Sequence, residues 1–383
     1  MKRRGFLRAA CGCSLAALAN LSLAEDPWRA PARFARPEVA SDEGGLWAMM
    51  DREETKLRRS PFNLRAPELQ AYVQDIACRL GSEHCPDIRV HLMRTPYFNA
   101  SMAPNGMMQV WSGLLLRADN EAQLAAVLGH EIGHYMERHS LERLRAAKSS
   151  SAVGQFLGLL GPVGLIGQVG VVAGMFAYSR EHERDADRIG ALLMNRAGYD
   201  VSEAPKVWAN LMLESKASPG GGKERNSLFA THPASEERQE ALSELAATYP
   251  GGARNEEPWQ KSCAPYLREW LRDEVKRGQH EESIALLTRA MARSIGRGEY
   301  LYARGETYRL RAGEGDLDHS IEDFRGAAAL GDEPPETHRG LGMIYRARKR
   351  SSDARASFER YLELAPQAPD VLMIRNYLEE LSV

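Results

Sequence analysis

His130, Glu131, Ile132, Gly133 and His134 place two imidazoles four residues apart around a carboxylate. On a helix, residues at that spacing share a face, with Cβ atoms about 5–6 Å apart, so the pair can hold one zinc ion. Glu131 sits one residue round, placed to take a proton from a water at that metal. Leu124, Val127, Leu128, Ile132 and Tyr135 make the surrounding helix apolar, so all three polar side chains are expected to be buried. Buried polar groups need partners, and one Zn2+ per chain supplies them. A catalytic zinc keeps three protein ligands and one open position. The third ligand should be a His, Glu or Asp on a following element. Residues 179–187 are crowded with candidates. Glu183 and Asp187 lie four apart on one helix face. One can bind zinc while the other accepts a hydrogen bond from a zinc-binding histidine and fixes its tautomer. Glu181, His182 and Asp185 read as a solvated helix face.

The elements that must position these residues are mainly α with a small β-sheet. Residues 46–59 and 67–80 read as helices, the second from Leu69, Val73, Ile76 and Leu80 at helical spacing. Residues 88–93 alternate as a strand. Segments 97–102 and 107–111 flank Pro104-Asn105-Gly106, and Asn-Gly is a strong hairpin signal. The spacing predicts one long helix over 121–144, capped by Asp119 or Asn120, and a second over 178–197 ending at Gly198. Between them, residues 149–179 carry no charge and read as a buried or membrane-dipping hairpin. Pro219 and Gly220 to Gly222 mark a mobile loop near the site.

A Pro/Gly-rich break at 249–258 divides the chain. The domain reading is a lead-in over 25–45, a metallopeptidase domain over 46–250, a linker over 251–264 and an all-α array over 265–383. In the array, Gly342, Tyr345, Ala354, Phe358 and Pro366 fall at tetratricopeptide-repeat spacing, and Gly305, Tyr308, Phe324 and Ala327 repeat the pattern. Ile284, Leu287 and Ala290 suggest an earlier, degenerate unit.

The first 24 residues read as an export signal: a basic MKRRGFLR, an uncharged apolar run and Ser22-Leu23-Ala24 as the cleavage site. Arg3-Arg4 resembles a twin-arginine signal; an ordinary secretory signal accounts for the same residues. A net charge of −2 gives no footprint for nucleic acid. Cys78 and Cys85 lie close together and would pair in an oxidising compartment, or else remain two buried thiols. Cys263 reads as a buried thiol.

Asn99-Ala100 before a hairpin, the run from Asp119 to His139, the pattern Ser179-Arg180-x-x-Glu183-x-x-Ala186-Asp187-x-x-Gly190, and Thr231-His232-Pro233 with Arg238 resemble the HtpX/CAAX-prenyl-protease family of gluzincin metallopeptidases. With the C-terminal repeats added, the chain is similar to the BepA-type (β-barrel assembly-enhancing) branch found in the periplasm of Gram-negative bacteria. The resemblance implies that His130, His134 and Glu183 bind zinc, Glu131 is the general base and Asp187 supports a ligand. It implies that His232 either stabilises the oxyanion or swings in as a blocking fourth ligand; a histidine capping the turn before Pro233 is the plain alternative. Arg238 is a further candidate for the oxyanion. The edge at Asn99 and Ala100 can pair with substrate backbone as an added strand. The function implied is an exported, periplasmic zinc endopeptidase acting on unfolded or misassembled envelope proteins. The repeats would contact the outer-membrane assembly machinery, with peripheral membrane contact. The alternative is an envelope chaperone or scaffold in which proteolysis is latent.

Overall fold

The computed structural model describes residues 28–146, 178–218, 232 and 236–381. The signal segment 1–24, most of the apolar stretch 149–179 and the glycine-rich loop lie outside the described residues. Everything below belongs to the compact unit Ala32–Val383.

Helix α1 (Asp42–Arg59) starts at a Ser41 side chain that accepts from the Gly44 N–H. It lays Leu46, Met50 and Leu57 against Met93, Met107 and Trp111 of the sheet. Helix α2 (Pro67–Gly81) buries Leu69, Val73, Ile76 and Leu80, the stripe legible in the sequence. Strands β1 (Arg89–Met93), β2 (Ala100–Met102) and β3 (Met107–Trp111) form one sheet in the order β1-β3-β2. β2 and β3 are the expected antiparallel hairpin, with Gly106 in the left-handed region at φ +86°. β1 runs parallel to β3. β2 is therefore an outer strand.

A short helix α3 (Ser112–Arg117) leads to α4 (Glu121–Met136), whose Asn120 side chain caps the Gln123 N–H at 2.9 Å. The single helix expected over 121–144 is two. α4 ends at Met136, Arg138 takes φ +59°, and α5 (His139–Ala146) sets off afresh. The Arg138 side chain is held by Glu43 and lies over the Phe34 ring, contacts from distant sequence that no local periodicity reports.

After the undescribed stretch come α6 (Arg180–Arg196), α7 (Ala204–Ala217) and α8 (Glu236–Ala247). α4 crosses α6 at four small residues. A Cβ on Gly190 would lie 2.9 Å from the His130 backbone N, and one on Gly133 would lie 3.1 Å from the Ala186 Cα. Only small side chains permit that approach, and it sets the face carrying His130 and His134 against the face carrying Glu183 and Asp187.

The segment 251–264 is tied rather than free. Ala253 bridges Tyr199, Asp200 N–H donates to the Ala253 carbonyl, and from Glu256 on the chain is helix. That helix, α9 (Glu256–Lys276), buries Trp259, whose indole N–H donates to the Ala118 carbonyl. An all-α array follows: α10 (His280–Ala290), α11 (Arg297–Arg311), α12 (Asp316–Leu330), α13 (Glu336–Ala347), α14 (Ser351–Leu364) and α15 (Val371–Glu380). α11 with α12 and α13 with α14 are helical hairpins. The Phe324 ring fills the space left by Gly305 and Gly340, and Phe358 that left by Gly342, so the glycine–aromatic spacing read in the sequence is a close-packing device. No helix among the described residues is long and apolar enough to cross a membrane.

Candidate metal centre

Four donor-bearing side chains, His130, His134, Glu183 and His232, converge and are all buried. His130 Nε2 lies 3.1 Å from His134 Nε2 and 3.2 Å from His232 Nδ1. Glu183 Oε1 lies 2.9 Å from His232 Nδ1 and 3.4 Å from His134 Nε2. Zinc–nitrogen bonds of about 2.0–2.1 Å set tetrahedral ligand–ligand edges of about 3.3 Å. The observed separations bracket that edge, and all four atoms lie within 4.8 Å of one another. Three imidazole nitrogens and a carboxylate oxygen turned on one point fit a zinc ion.

The elements explain the convergence. His130 and His134 share a face of α4, and Glu183 rises from the first turn of α6, which Ser179 caps through the His182 N–H. Asp187, one turn on, brings Oδ1 to 2.9 Å from His130 Nδ1. Of the two carboxylates left open by the sequence, Glu183 stands among the donors and Asp187 stands behind His130. Glu131 points to the same space: its Oε1 is buried, has no hydrogen-bond partner among the described residues, and lies 3.6 Å from His232 Nε2. The His232 ring thus spans from the donor cluster to the carboxylate of Glu131.

Burial raises the Glu131 carboxyl above its ordinary value, against the pull of His232 and His130. Burial drives His134 far down, so it is a neutral imidazole, the form that offers a lone pair. Burial works against ionised Glu183, but His232 and His134 outweigh it and hold the carboxyl well below the usual range.

Arg238, a candidate for the oxyanion, lies beside the cluster, with Nη2 3.3 Å from His130 Nε2, and pairs with two carboxylates. Its Nε and Nη2 donate to both oxygens of Asp187 at 2.5 and 2.8 Å, and Nη1 pairs with Glu183 Oε2 at 2.5 Å. Trp208 closes this clamp, with the guanidinium 4.2 Å above its ring. Sequence reading missed Trp208 and also Tyr178, whose ring stacks on His134 at 3.8 Å. It also placed His182 in solvent, whereas the ring stacks on His139 at 4.2 Å. Asn99 and Ala100 lie at the sheet edge: the Asn99 carbonyl accepts from the Trp111 N–H, and Ala100 opens β2. Cys78 and Cys85 are joined by a disulfide, and Cys263 is a buried thiol.

Residues 63–246 match the model of Peptidase family M48. Over 200 residues the chain is 29% identical to the beta-barrel assembly-enhancing protease of Escherichia coli, covering 48% of this chain and 40% of that protein. It is 28% identical over 209 residues to the protein of the same name in Yersinia pestis, covering 49% and 43%. Over 158 residues it is 32% identical to the mitochondrial metalloendopeptidase OMA1 of Saccharomyces cerevisiae, covering 40% and 46%. The matches span less than half the length of these relatives.

Proposed function

We propose that this chain, which carries a Peptidase family M48 domain, is an exported zinc endopeptidase acting on unfolded or misassembled envelope proteins and held closed at rest by His232. The observation that carries this reading is the buried cluster of His130, His134, Glu183 and His232 with the unpartnered Glu131 oxygen beside it. When bound, zinc acidifies a water and polarises the scissile carbonyl. Glu131 Oε1 accepts the proton of the attacking water and returns it to the leaving amine. Asp187 accepts from His130 Nδ1–H and so keeps Nε2 free to bind. Arg238 bridges Asp187 and Glu183 and fixes the spacing of α6 against α4. The outer strand β2, with the Asn99 carbonyl next to it, offers a backbone edge to an extended substrate. Pairing through backbone reads little sequence, which suits clients recognised by being unfolded.

A catalytic metal needs an open position, and His232 Nδ1 stands where one would be. Opening therefore requires the His232 ring to move. Removing it with His232→Ala leaves three ligands, so zinc is retained and casein cleavage rises. If the closed form is about 90–99% populated, the rise is roughly 10- to 100-fold. A fall in activity would instead assign His232 to the oxyanion.

Export rests on the basic-then-apolar first 24 residues, and an envelope role on the relatives named for β-barrel assembly. The helical array is read as tetratricopeptide-like hairpins that hold clients or assembly partners. The closed His232 geometry also favours a second reading, a chaperone with latent proteolysis. Both meet one experiment: cleavage of unfolded casein by the purified chain, with chelator and then zinc added. Hydrolysis that chelation stops and zinc restores supports the peptidase. Casein bound but left uncut by both the zinc-loaded unaltered chain and zinc-loaded His232→Ala protein would reject the peptidase for the chaperone.

A further inference from the structure

His134 turns Nε2 toward the donor cluster and Nδ1 away from it. What meets Nδ1 is not a carboxylate or a backbone carbonyl, the usual partners of a metal-binding imidazole, but another imidazole: His139 Nδ1 lies 2.9 Å away. Two ring nitrogens at that distance share one proton. His134 must carry it, because its Nε2 needs a lone pair for the metal. His139 Nδ1 is then the acceptor, and the His139 proton sits on Nε2.

The backbone is bent to allow this. In a continuous helix, residues five apart lie about 140° apart round the axis and cannot touch. Arg138, a non-glycine residue at φ +59°, breaks the helix between them and starts α5 at His139 itself. Such a conformation is unfavourable for a residue with a Cβ. The resulting turn returns the His139 ring under His134. His139 is buried, and its ring stacks on His182 at 4.2 Å with planes 22° apart, so its orientation is set from the other side. The two metal histidines thus have different supports: Asp187, an anion, for His130, and His139, an imidazole, for His134.

The geometry points to His139 as a positioning residue that accepts the His134 Nδ1 proton, fixing the tautomer that presents Nε2 to zinc. This rests on the reading of His134 as a ligand. The kink at Arg138 brings that acceptor into place.

The test is zinc affinity of the full chain, by competition with a chromophoric chelator, for His139→Phe and His139→Gln. Phenylalanine keeps the ring stacked on His182 but accepts no hydrogen bond; glutamine keeps an acceptor. His139→Phe should bind zinc about 10- to 100-fold more weakly, and His139→Gln should recover most of the loss. Equal affinity in His139→Phe and the unaltered chain overturns the assignment, as does equal loss in both variants, which would leave only a packing role. A readout free of any variant is the 15N imidazole spectrum of the zinc-loaded unaltered chain. It should show His134 bound through Nε2 with a hydrogen-bonded proton on Nδ1; binding through Nδ1 overturns the assignment even if neither variant folds. Failure of the unaltered chain to bind zinc at all would sink the metal-site reading itself, a separate outcome.

Discussion

Glu131→Gln should abolish peptide hydrolysis and leave the metal in place. The side chain is buried and isosteric with its replacement, so packing on α4 survives. It is not one of the four converging donors, so zinc content should stay at one per chain. What disappears is the acceptor for the proton of the attacking water. Glu131 Oε1 has no competing hydrogen-bond partner among the described residues, and no other described carboxylate beside the cluster is free to replace it. Glu183 is a ligand candidate, and both Asp187 oxygens are taken by Arg238. Loss of a positioned general base lowers turnover by about 10²- to 10⁴-fold. The measurement is kcat on casein together with zinc content by elemental analysis. Turnover within tenfold of the unaltered chain would sink the assignment. Loss of both zinc and turnover would mean that Glu131 binds the metal instead.

The convergence of His130, His134 and Glu183 was legible because helical spacing is local information. HEIGH fixes two donors at i and i+4, and Glu183 and Asp187 repeat that spacing on a second helix. The hairpin at Asn105-Gly106 and the core face of α2 were legible for the same reason. A further signal was present and went unread. Gly129 with Gly133, and Ala186 with Gly190, put small residues four apart on both helices. That pattern announces a close crossing, and the crossing is what brings Glu183 to the histidines.

The parts that were not legible depend on contacts distant in sequence. The break at Arg138 is stabilised by Glu43 and Phe34, and a periodicity that continues through 137–144 cannot register it. Because the break was hidden, so was the meeting of His139 with His134 and the stack of His182 on His139. Arg238 was read only as a candidate for the oxyanion, and its pairing with the carboxylates was not foreseen. Its partners, Asp187 and Trp208, come from α6 and α7, and only the packing of α8 against both shows that the guanidinium faces the carboxylates. In the 251–264 segment, Gly252 marks a sharp turn against Tyr199, a contact that composition does not report.

Arg117→Ala should destabilise the chain by up to about 3–5 kcal/mol, because it removes one of the cationic partners of each of two buried carboxylates. Arg117, at the end of α3, is almost fully buried and donates to Glu214 of α7 at 2.7 Å and to both oxygens of Glu274 of α9 at 3.0 and 3.2 Å. The same junction holds Arg293, which reaches Asp119 at 2.8 Å and the Leu116 carbonyl at 2.8 Å. These pairs fasten the first helices of the array to the segment that leads into α4, so the array is seated on the metal domain rather than tethered to it. Truncating Arg117 leaves Glu214 to Arg289 alone and Glu274 to Arg277 and the Ser283 hydroxyl. The apparent Tm should fall by roughly 4–7 °C, and protease cleavage should begin near α9. Burial alone would raise the Glu274 carboxyl, but Arg117 and Arg277 outweigh it and hold it below its ordinary value. A carboxylate lowered on folding contributes stability that is fully present above the unfolded pKa of about 4.5 and is lost as pH falls through the folded value. Between neutral pH and that range the unaltered chain should therefore keep this contribution, and below it the difference in Tm between the unaltered chain and Arg117→Ala should shrink. A Tm for Arg117→Ala within about 1 °C of the unaltered chain at pH 7 would mean that the junction is held by apolar packing alone, through Trp259 and its neighbours.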